Sequence, residues 1–247
     1  MRHLIRICIV GTLALLPAAA LAQGRTSPEA VKATLHYQSG WELMRAELWE
    51  KAATEFQQAI DIDKKFALAY YSLGRALVNQ KKFAAAIFSY VKCRDIYLAR
   101  AGDNFSSQVD NNKALDDQIF EMNDYLTKVF KGSDNERRQM QEQLSRMKQA
   151  RERGATVTAD VQVPYFVSLA LGSAYFRSER FADAEREFKA TIDANPSAGE
   201  AHNNLAVVYM LTGRFDDSER EIKAAEAGGF RVNPQFKEDL KKARTKR

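Results

Sequence analysis

A repeat of about 34 residues runs through most of this 247-residue sequence. Gly40 recurs as Gly74 and Phe56 recurs as Tyr90, and each pair is 34 residues apart. The same template of small and large residues returns twice in the second half of the chain. A fixed period of this length indicates a repeat architecture, in which each copy is one structural unit that stacks on its neighbours. We place four copies, at residues 33–66, 67–100, 165–198 and 199–232.

Each copy is predicted to contain two antiparallel α-helices. In the second copy, Tyr70, Leu73 and Leu77 follow one another at spacings of three and four, which places them on one face of a first helix. Phe83 and Tyr90 share a face of the second helix in the same way. With only 5 Pro and 12 Gly, the composition favours helices throughout. The sequence therefore predicts an all-α fold, an α-solenoid of helix-turn-helix repeats.

The order of large, small and aromatic positions resembles the tetratricopeptide repeat, in which a Pro often closes a copy, as Pro196 does here. The sequence departs from that pattern at His36, where an aromatic residue is usual, and at Lys64, which stands where Pro196 stands in the third copy. Such departures are expected in outer copies, since terminal repeats have only one neighbour. The resemblance implies a concave groove that is lined by the first helices and binds a peptide or helix of another protein.

Residues 101–164 interrupt the repeat and are predicted to form an inserted helical hairpin followed by a connector. Residues 131–134 are expected to end the first helix of the hairpin and to supply the N-cap of the second, and residues 155–164 are expected to be extended. The sequence leaves open whether the hairpin continues the stack or folds across the groove. The first helix carries an apolar seam with spacings of four and three, at Leu115, Ile119, Met122 and Leu126.

The N-terminal residues 1–22 are typical of a secretory signal. They combine Arg2 and Arg6 with a short apolar run and with small residues at Ala20 and Ala22. Cleavage after Ala22 is expected, and the run is too short to suggest an uncleaved anchor. The sequence thus predicts a periplasmic or secreted protein with no transmembrane helix after processing.

The remaining chain divides into four predicted units. Asn233 and Pro234 are typical of a helix start, and Phe236 and Leu240 would share the face that covers the end of the array. The units are an N-terminal repeat pair (23–100), the inserted hairpin and connector (101–164), a C-terminal repeat pair (165–232), and a capping helix with a basic tail (233–247).

Charge and chemistry exclude several classes of function. Removal of Arg2 and Arg6 lowers the net charge from +5 to +3, which is too small an excess to favour nucleic acid as a partner. Cys93 would be the only cysteine left, so no intramolecular disulfide forms, and an inert core position is expected. Paired cysteines, a His-Glu-x-x-His pattern and a Gly-rich phosphate loop are all missing from the sequence. We therefore predict no metal, no cofactor, no catalytic residue and no enzyme activity.

The resemblance to the tetratricopeptide repeat also implies which residues face the groove. Aromatic and Arg side chains dominate these positions, and both types are common anchors of protein interfaces. The alternative is that the aromatic residues pack against the next repeat or against the inserted hairpin. The predicted partner-binding residues are Tyr37, Trp41, Arg45, Tyr71, Arg75, Asn79, Phe166, Ser173, Arg177 and Asn203.

Three functions follow from the sequence. The first is a non-catalytic periplasmic scaffold that binds a partner peptide or helix in the concave groove. The second is a self-assembling structural module, a homo-oligomer that pairs through the seam of the 101–164 hairpin. The third is a substrate-recruiting subunit of an envelope enzyme complex.

Overall fold

The computed structural model describes residues 27–102, 108–130, 132–153 and 163–245. Within these ranges every regular element is an α-helix, which confirms the predicted all-α fold class. The predicted signal at residues 1–22, the connector at 155–162 and the last two residues of the basic tail lie outside the described residues. The helices are α1 (Pro28–Arg45), α2 (Trp49–Ile62), α3 (Ala67–Asn79), α4 (Phe83–Gly102), α5 (Gln108–Lys128), α6 (Asp134–Glu152), α7 (Tyr165–Arg177), α8 (Phe181–Ala194), α9 (Gly199–Leu211), α10 (Phe215–Ala227) and α11 (Pro234–Thr245).

Four helix pairs form the repeats: α1 with α2, α3 with α4, α7 with α8, and α9 with α10. In the first three pairs, a glycine on the first helix faces an aromatic ring on the second. A Cβ atom built on Gly74 would lie 2.6 Å from Cε1 of the Tyr90 ring, and one built on Gly40 would lie 2.5 Å from the corresponding atom of Phe56. The ring of the second helix therefore occupies the space that a side chain on the first helix would need.

The turn between the two helices has the same backbone conformation in every repeat. Glu47, Lys81, Glu179 and Gly213 each follow a first helix, and all four have positive φ, between 58° and 77°. A left-handed residue ends the helix and turns the chain back. Three of the four are not glycine, although this conformation disfavours side chains. The four copies are thus equivalent in backbone as well as in sequence.

The repeat array continues directly past the insertion, because α4 of the second repeat packs against α7 of the third. Arg94 on α4 also donates to Glu187 on α8, with Nη1 3.1 Å from Oε1. The hairpin of α5 and α6 therefore leaves the array after the second repeat and is not a spacer within it. The N-cap of its second helix lies within the predicted residues 131–134: it is Ser133, which forms a capping box with Glu136.

Helix α11 closes the C-terminal end of the array. Leu240 is buried, and Phe236 packs beside it against Ile222 and Val232. Arg244 holds the end of α11 through an ion pair with Glu219 on α10. A terminal helix of this kind covers the apolar face that the last repeat has no neighbour to bury.

None of the described helices is both long enough and apolar enough to cross a membrane.

Candidate functional site

Helix α5 lies across the first helices of three repeats. Phe120 contacts the ring of Tyr37 on α1, with centroids 6.4 Å apart, and that of Phe66, which precedes α3, at 6.2 Å. Further along α5, the ring of Tyr125 stacks on Phe166 of α7, with centroids 4.0 Å apart and planes 14° from parallel. Of the two arrangements that the sequence left open, the hairpin therefore adopts the second: it folds across the groove and does not continue the stack.

A buried carboxylate fixes α5 to the first repeat. The hydroxyl of Tyr37 donates a hydrogen bond to Asp124, and Lys128, one turn later on α5, forms an ion pair with the same carboxylate. The Lys128 ammonium also lies 4.8 Å from the centroid of the Tyr37 ring and 5.9 Å from that of Trp41. Burial, followed by the nearby Asp124 charge, raises the pKa of Tyr37 well above its ordinary value, so this tyrosine remains a neutral donor.

A second buried carboxylate fixes α5 to the second repeat. Glu121 accepts a hydrogen bond from the hydroxyl of Tyr97 at 2.7 Å and one from Nη1 of Arg100 at 3.0 Å. Arg100 also donates to the backbone carbonyl of Lys65, in the turn between the first two repeats, at 2.9 Å. Since a buried carboxylate is costly unless it is hydrogen-bonded, these donors determine where the α5 helix can lie.

Part of the groove stays open beside α5, as a cleft of about 300 Å³. Its walls come from α3, α7, the start of α9 and the end of α5. The structure brings six of the ten predicted partner-binding residues to this cleft: Tyr71, Arg75, Asn79, Phe166, Ser173 and Arg177.

Three buried polar atoms make no well-formed hydrogen bond among the described residues: Nε1 of Trp41, Oγ of Ser72 and Nη1 of Arg75. The Tyr37 hydroxyl still interacts with the Ser72 and Trp41 side chains, so Arg75 is the donor left without any acceptor. The Arg75 guanidinium stacks over the Trp41 ring, 5.1 Å from its centroid, so two of the three groups are adjacent. All three can donate a hydrogen bond. A buried donor without an acceptor costs about 1–3 kcal/mol, and such groups are rare in native structures.

The aromatic walls of the cleft stay uncharged over the physiological pH range. Burial raises the pKa of Tyr71 to about 12 and raises that of Tyr125 well above its ordinary value. The two side chains are 5% and 6% exposed. They offer apolar area to a ligand, while the charge of the cleft comes from Arg75, Arg177 and two glutamates, Glu136 and Glu200.

The other four predicted partner-binding residues lie elsewhere. Tyr37 and Trp41 are 1% and 5% exposed and are covered by α5. Arg45 lies at the end of α1, where it is exposed and pairs with Glu42 of the same helix. Asn203, on α9, donates to its neighbour Asn204 at 3.4 Å and does not line the cleft. A role for any of the ten residues in partner binding stays a prediction.

Sequence reasoning missed the face of α5 that enters the groove. The apolar seam drew attention to Ile119 and Met122, yet both are only partly buried, whereas Phe120 and Glu121 beside them are 4% and 3% exposed. The face carried a signal, since two aromatic and two acidic residues recur along it. The apolar seam alone does not describe how α5 is buried, because residues outside the seam are buried against the repeats as well.

The two histidines after residue 22 have structural partners. Nδ1 of His36 lies 2.8 Å from Oε2 of Glu55, and Nδ1 of His202 lies 2.6 Å from Oε2 of Glu221, so each histidine pairs with the second helix of its own repeat. Within the described ranges, no group of three His, Cys, Asp or Glu side chains is placed to hold a metal ion. Cys93 is fully buried, and burial raises the pKa of its thiol.

Two segments of the chain match known families. Residues 169–230 match a family model described as the tetratricopeptide repeat, and residues 45–90 match a second model described as the TPR repeat. Each half of the array thus contains a segment that matches a tetratricopeptide-repeat model. Such repeats generally mediate protein–protein interactions, and their concave surfaces are extended binding sites.

Several solved structures are similar to the chain at low identity. One is PilW, described as a widely conserved type IV pilus biogenesis factor: 19% identity, 81% of this chain and 79% of that one covered, TM-score 0.37. A structure described as MamA MSR-1 has 18% identity, 81% and 97% coverage, and a TM-score of 0.28. The Cut9–Hcn1 complex of APC/C has 12% identity, 92% and 45% coverage, and a TM-score of 0.29. No curated protein matches the sequence.

Proposed function

We propose that this protein is a non-catalytic periplasmic scaffold that binds a segment of another protein in its concave groove. The observation that carries the proposal is Nη1 of Arg75, a buried donor on the wall of the open cleft that has no acceptor among the described residues. A partner that brings a carbonyl or carboxylate oxygen to this point would satisfy it. The cleft, walled by Tyr71 and Phe166, offers apolar area to the same partner.

The periplasmic location rests on the sequence of residues 1–22. The scaffold role rests on the repeats and on the groove, and it does not depend on the location. Self-assembly through the seam is less well supported, because Leu115 and Leu126 are 2% and 8% exposed. Ile119 and Met122 also pack against the core, so pairing between chains would require the hairpin to leave it.

The test is a crosslinking pull-down from an envelope fraction with the full chain, tagged at its C-terminus. Trp41→Phe removes the indole N–H and keeps most of the buried ring, whereas a change to Ala would also open the core. Arg75→Glu reverses the charge on the groove floor. Arg146→Glu is the matched control, since its side chain is 80% exposed on α6.

We expect a partner that is captured by the wild type and by Arg146→Glu and is lost with Arg75→Glu. Trp41→Phe is expected to reduce the yield. A partner captured equally by all four chains would remove the groove from the account. N-terminal sequencing of the tagged protein itself tests the periplasmic location separately. Cleavage after Ala22 is expected, and an intact N-terminus would contradict that location.

A further inference from the structure

We infer that α5 is an internal ligand of the groove, and that the partner that displaces it is an α-helix with aromatic and acidic residues along one face. This inference rests on the proposed function, because it names the kind of partner that the same groove accepts. It follows from the residues with which α5 fills the groove, from the groups that receive them and from how incompletely α5 fills it.

The groove-facing residues of α5 form one stripe. Phe120 and Asp124 are four residues apart, as are Glu121 and Tyr125, so all four lie on adjoining lines of one helix face. Together they contact three repeats: Phe120 and Asp124 contact the first, Glu121 the second, and Tyr125 the third. The stripe is thus a complete helical ligand that spans three repeats.

The groove supplies donors and rings to this stripe. Tyr37, Tyr97 and Arg100 donate to the two carboxylates, which are among the most buried acidic side chains of the described residues. Because Asp and Glu are almost never buried without such partners, their donors are matched to charged acceptors. Apolar residues at these two positions would leave the donors unpaired, and Asn or Gln would replace each charge-assisted hydrogen bond by a weaker neutral one. The groove therefore selects carboxylates.

Charge complementarity acts in the same direction over the whole helix. Residues 108–128 contain five acidic and two basic residues, a net charge of −3, whereas residues 27–102 contain eleven basic and eight acidic residues, a net charge of +3. An acidic helix is therefore attracted to the first two repeats before any specific contact forms.

Helix α5 is an imperfect ligand. Clefts of about 300 and 270 Å³ flank it, the second bounded by Met122 of α5, Met140 and Met147 of α6, and the start of α7. Both clefts are open to solvent, and Nη1 of Arg75, on the wall of the first, stays unpaired beside α5. A partner helix that fills a cleft and supplies an acceptor makes contacts that α5 does not, so it displaces α5 by differential affinity.

The experiment measures binding of a fluorescein-labelled peptide of residues 108–128, by anisotropy, to full-length chains. In the opened chain, Phe120→Ala and Tyr125→Ala weaken the internal α5 and leave the groove residues unchanged. A second opened chain, Glu121→Gln with Asp124→Asn, keeps the size of both side chains and serves if the alanine pair reduces helix content. Thr127→Ala is the matched control, because Thr127 lies on the exposed side of α5.

We expect the opened chain to bind the peptide at least about tenfold more tightly than the wild type, since the apparent affinity scales with the fraction of molecules whose groove is free. Thr127→Ala should bind as the wild type does. A peptide that carries Glu121→Gln and Asp124→Asn should bind the opened chain at least about tenfold more weakly, because it lacks both carboxylates.

The inference is overturned if both opened chains keep their helix content and bind the peptide no better than the wild type. Equal binding of the uncharged peptide would also overturn it, since the groove would then not select carboxylates. Sedimentation provides a third check: an opened chain that dimerises in place of binding the peptide would assign the groove to a second copy of this protein.

The two proposals fail in distinguishable ways. Capture of a partner that depends on Arg75, together with no peptide binding by the opened chains, would leave the scaffold role and remove the acidic helix. Peptide binding with no captured partner would leave α5 as an internal ligand and remove the scaffold role.

Discussion

The hydrogen bond between Tyr37 on α1 and Asp124 on α5 joins two residues that are 87 positions apart in sequence. Its removal therefore tests directly whether α5 is docked on the array. Tyr37→Phe removes the hydroxyl and keeps the ring against Phe56 and Phe66. Asp124→Ala removes the acceptor and also the ion pair with Lys128. A double-mutant cycle separates the shared interaction from the other effects of each change.

The structure sets the expected magnitudes. A hydrogen bond to a charged group contributes about 1.5–3 kcal/mol, so Tyr37→Phe should lower the free energy of unfolding by roughly 2 kcal/mol. Asp124→Ala should cost about 3 kcal/mol, because Tyr37 and Lys128 both lose a partner. The coupling energy between the two changes should then be about 1.5 kcal/mol.

Urea unfolding followed by tryptophan fluorescence is a suitable assay, since Trp41 lies beneath α5. The matched control is a cycle of Tyr37→Phe with Asp116→Ala: Asp116 is also on α5, but it pairs with Arg151 of α6. That cycle should be additive within about 0.5 kcal/mol. A Tyr37–Asp124 coupling as small as the control would refute the docking of α5 on the first repeat.

Three further predictions concern the repeats. Gly74→Ala should lower stability by about 1–3 kcal/mol despite better helix propensity, because its Cβ would lie 2.6 Å from the Tyr90 ring; an unchanged thermal midpoint would contradict the packing. The hydrogen bond to Glu221 raises the pKa of His202 above 6.5, so its stabilising effect is complete below that pH and is lost as the pH rises through the raised pKa. Urea midpoints between pH 6 and 8 should therefore fall with pH less steeply in His202→Gln than in the wild type, and equal slopes would exclude the pair as their cause. Cys93 is buried with a raised pKa, so a thiol reagent should modify it only on unfolding; rapid modification of the native chain would show that α4 opens.

The repeat fold could be predicted because its signals are local and recur. Gly74 and Tyr90 are only 16 residues apart, and the same small and aromatic pair recurs in register in another copy, so one consistent geometry explains the whole pattern. The helix starts at Ser133 and Pro234 could be predicted for the same reason, since capping depends on neighbouring residues.

The occupied groove could not be predicted from such local patterns. Nothing near Asp124 in sequence indicates that its acceptor oxygen meets Tyr37, because that contact depends on how the hairpin folds back over the array. The seam and the aromatic–acidic stripe both lie on α5, and periodicity alone does not say which one faces the repeats. Only the assembled structure shows that Phe166, predicted to face a partner, stacks on Tyr125 of the same chain.

Hydrogen–deuterium exchange of the intact chain tests the central claim, that α5 fills the groove, most directly. If α5 is docked on the repeats, the amides of residues 108–128 are protected in the native protein. Phe120→Ala with Tyr125→Ala should then release that protection while α1–α4 and α7–α10 keep theirs. Exchange of α5 at the rate of an unfolded chain, beside fully protected repeats in the wild type, would show that α5 does not fill the groove.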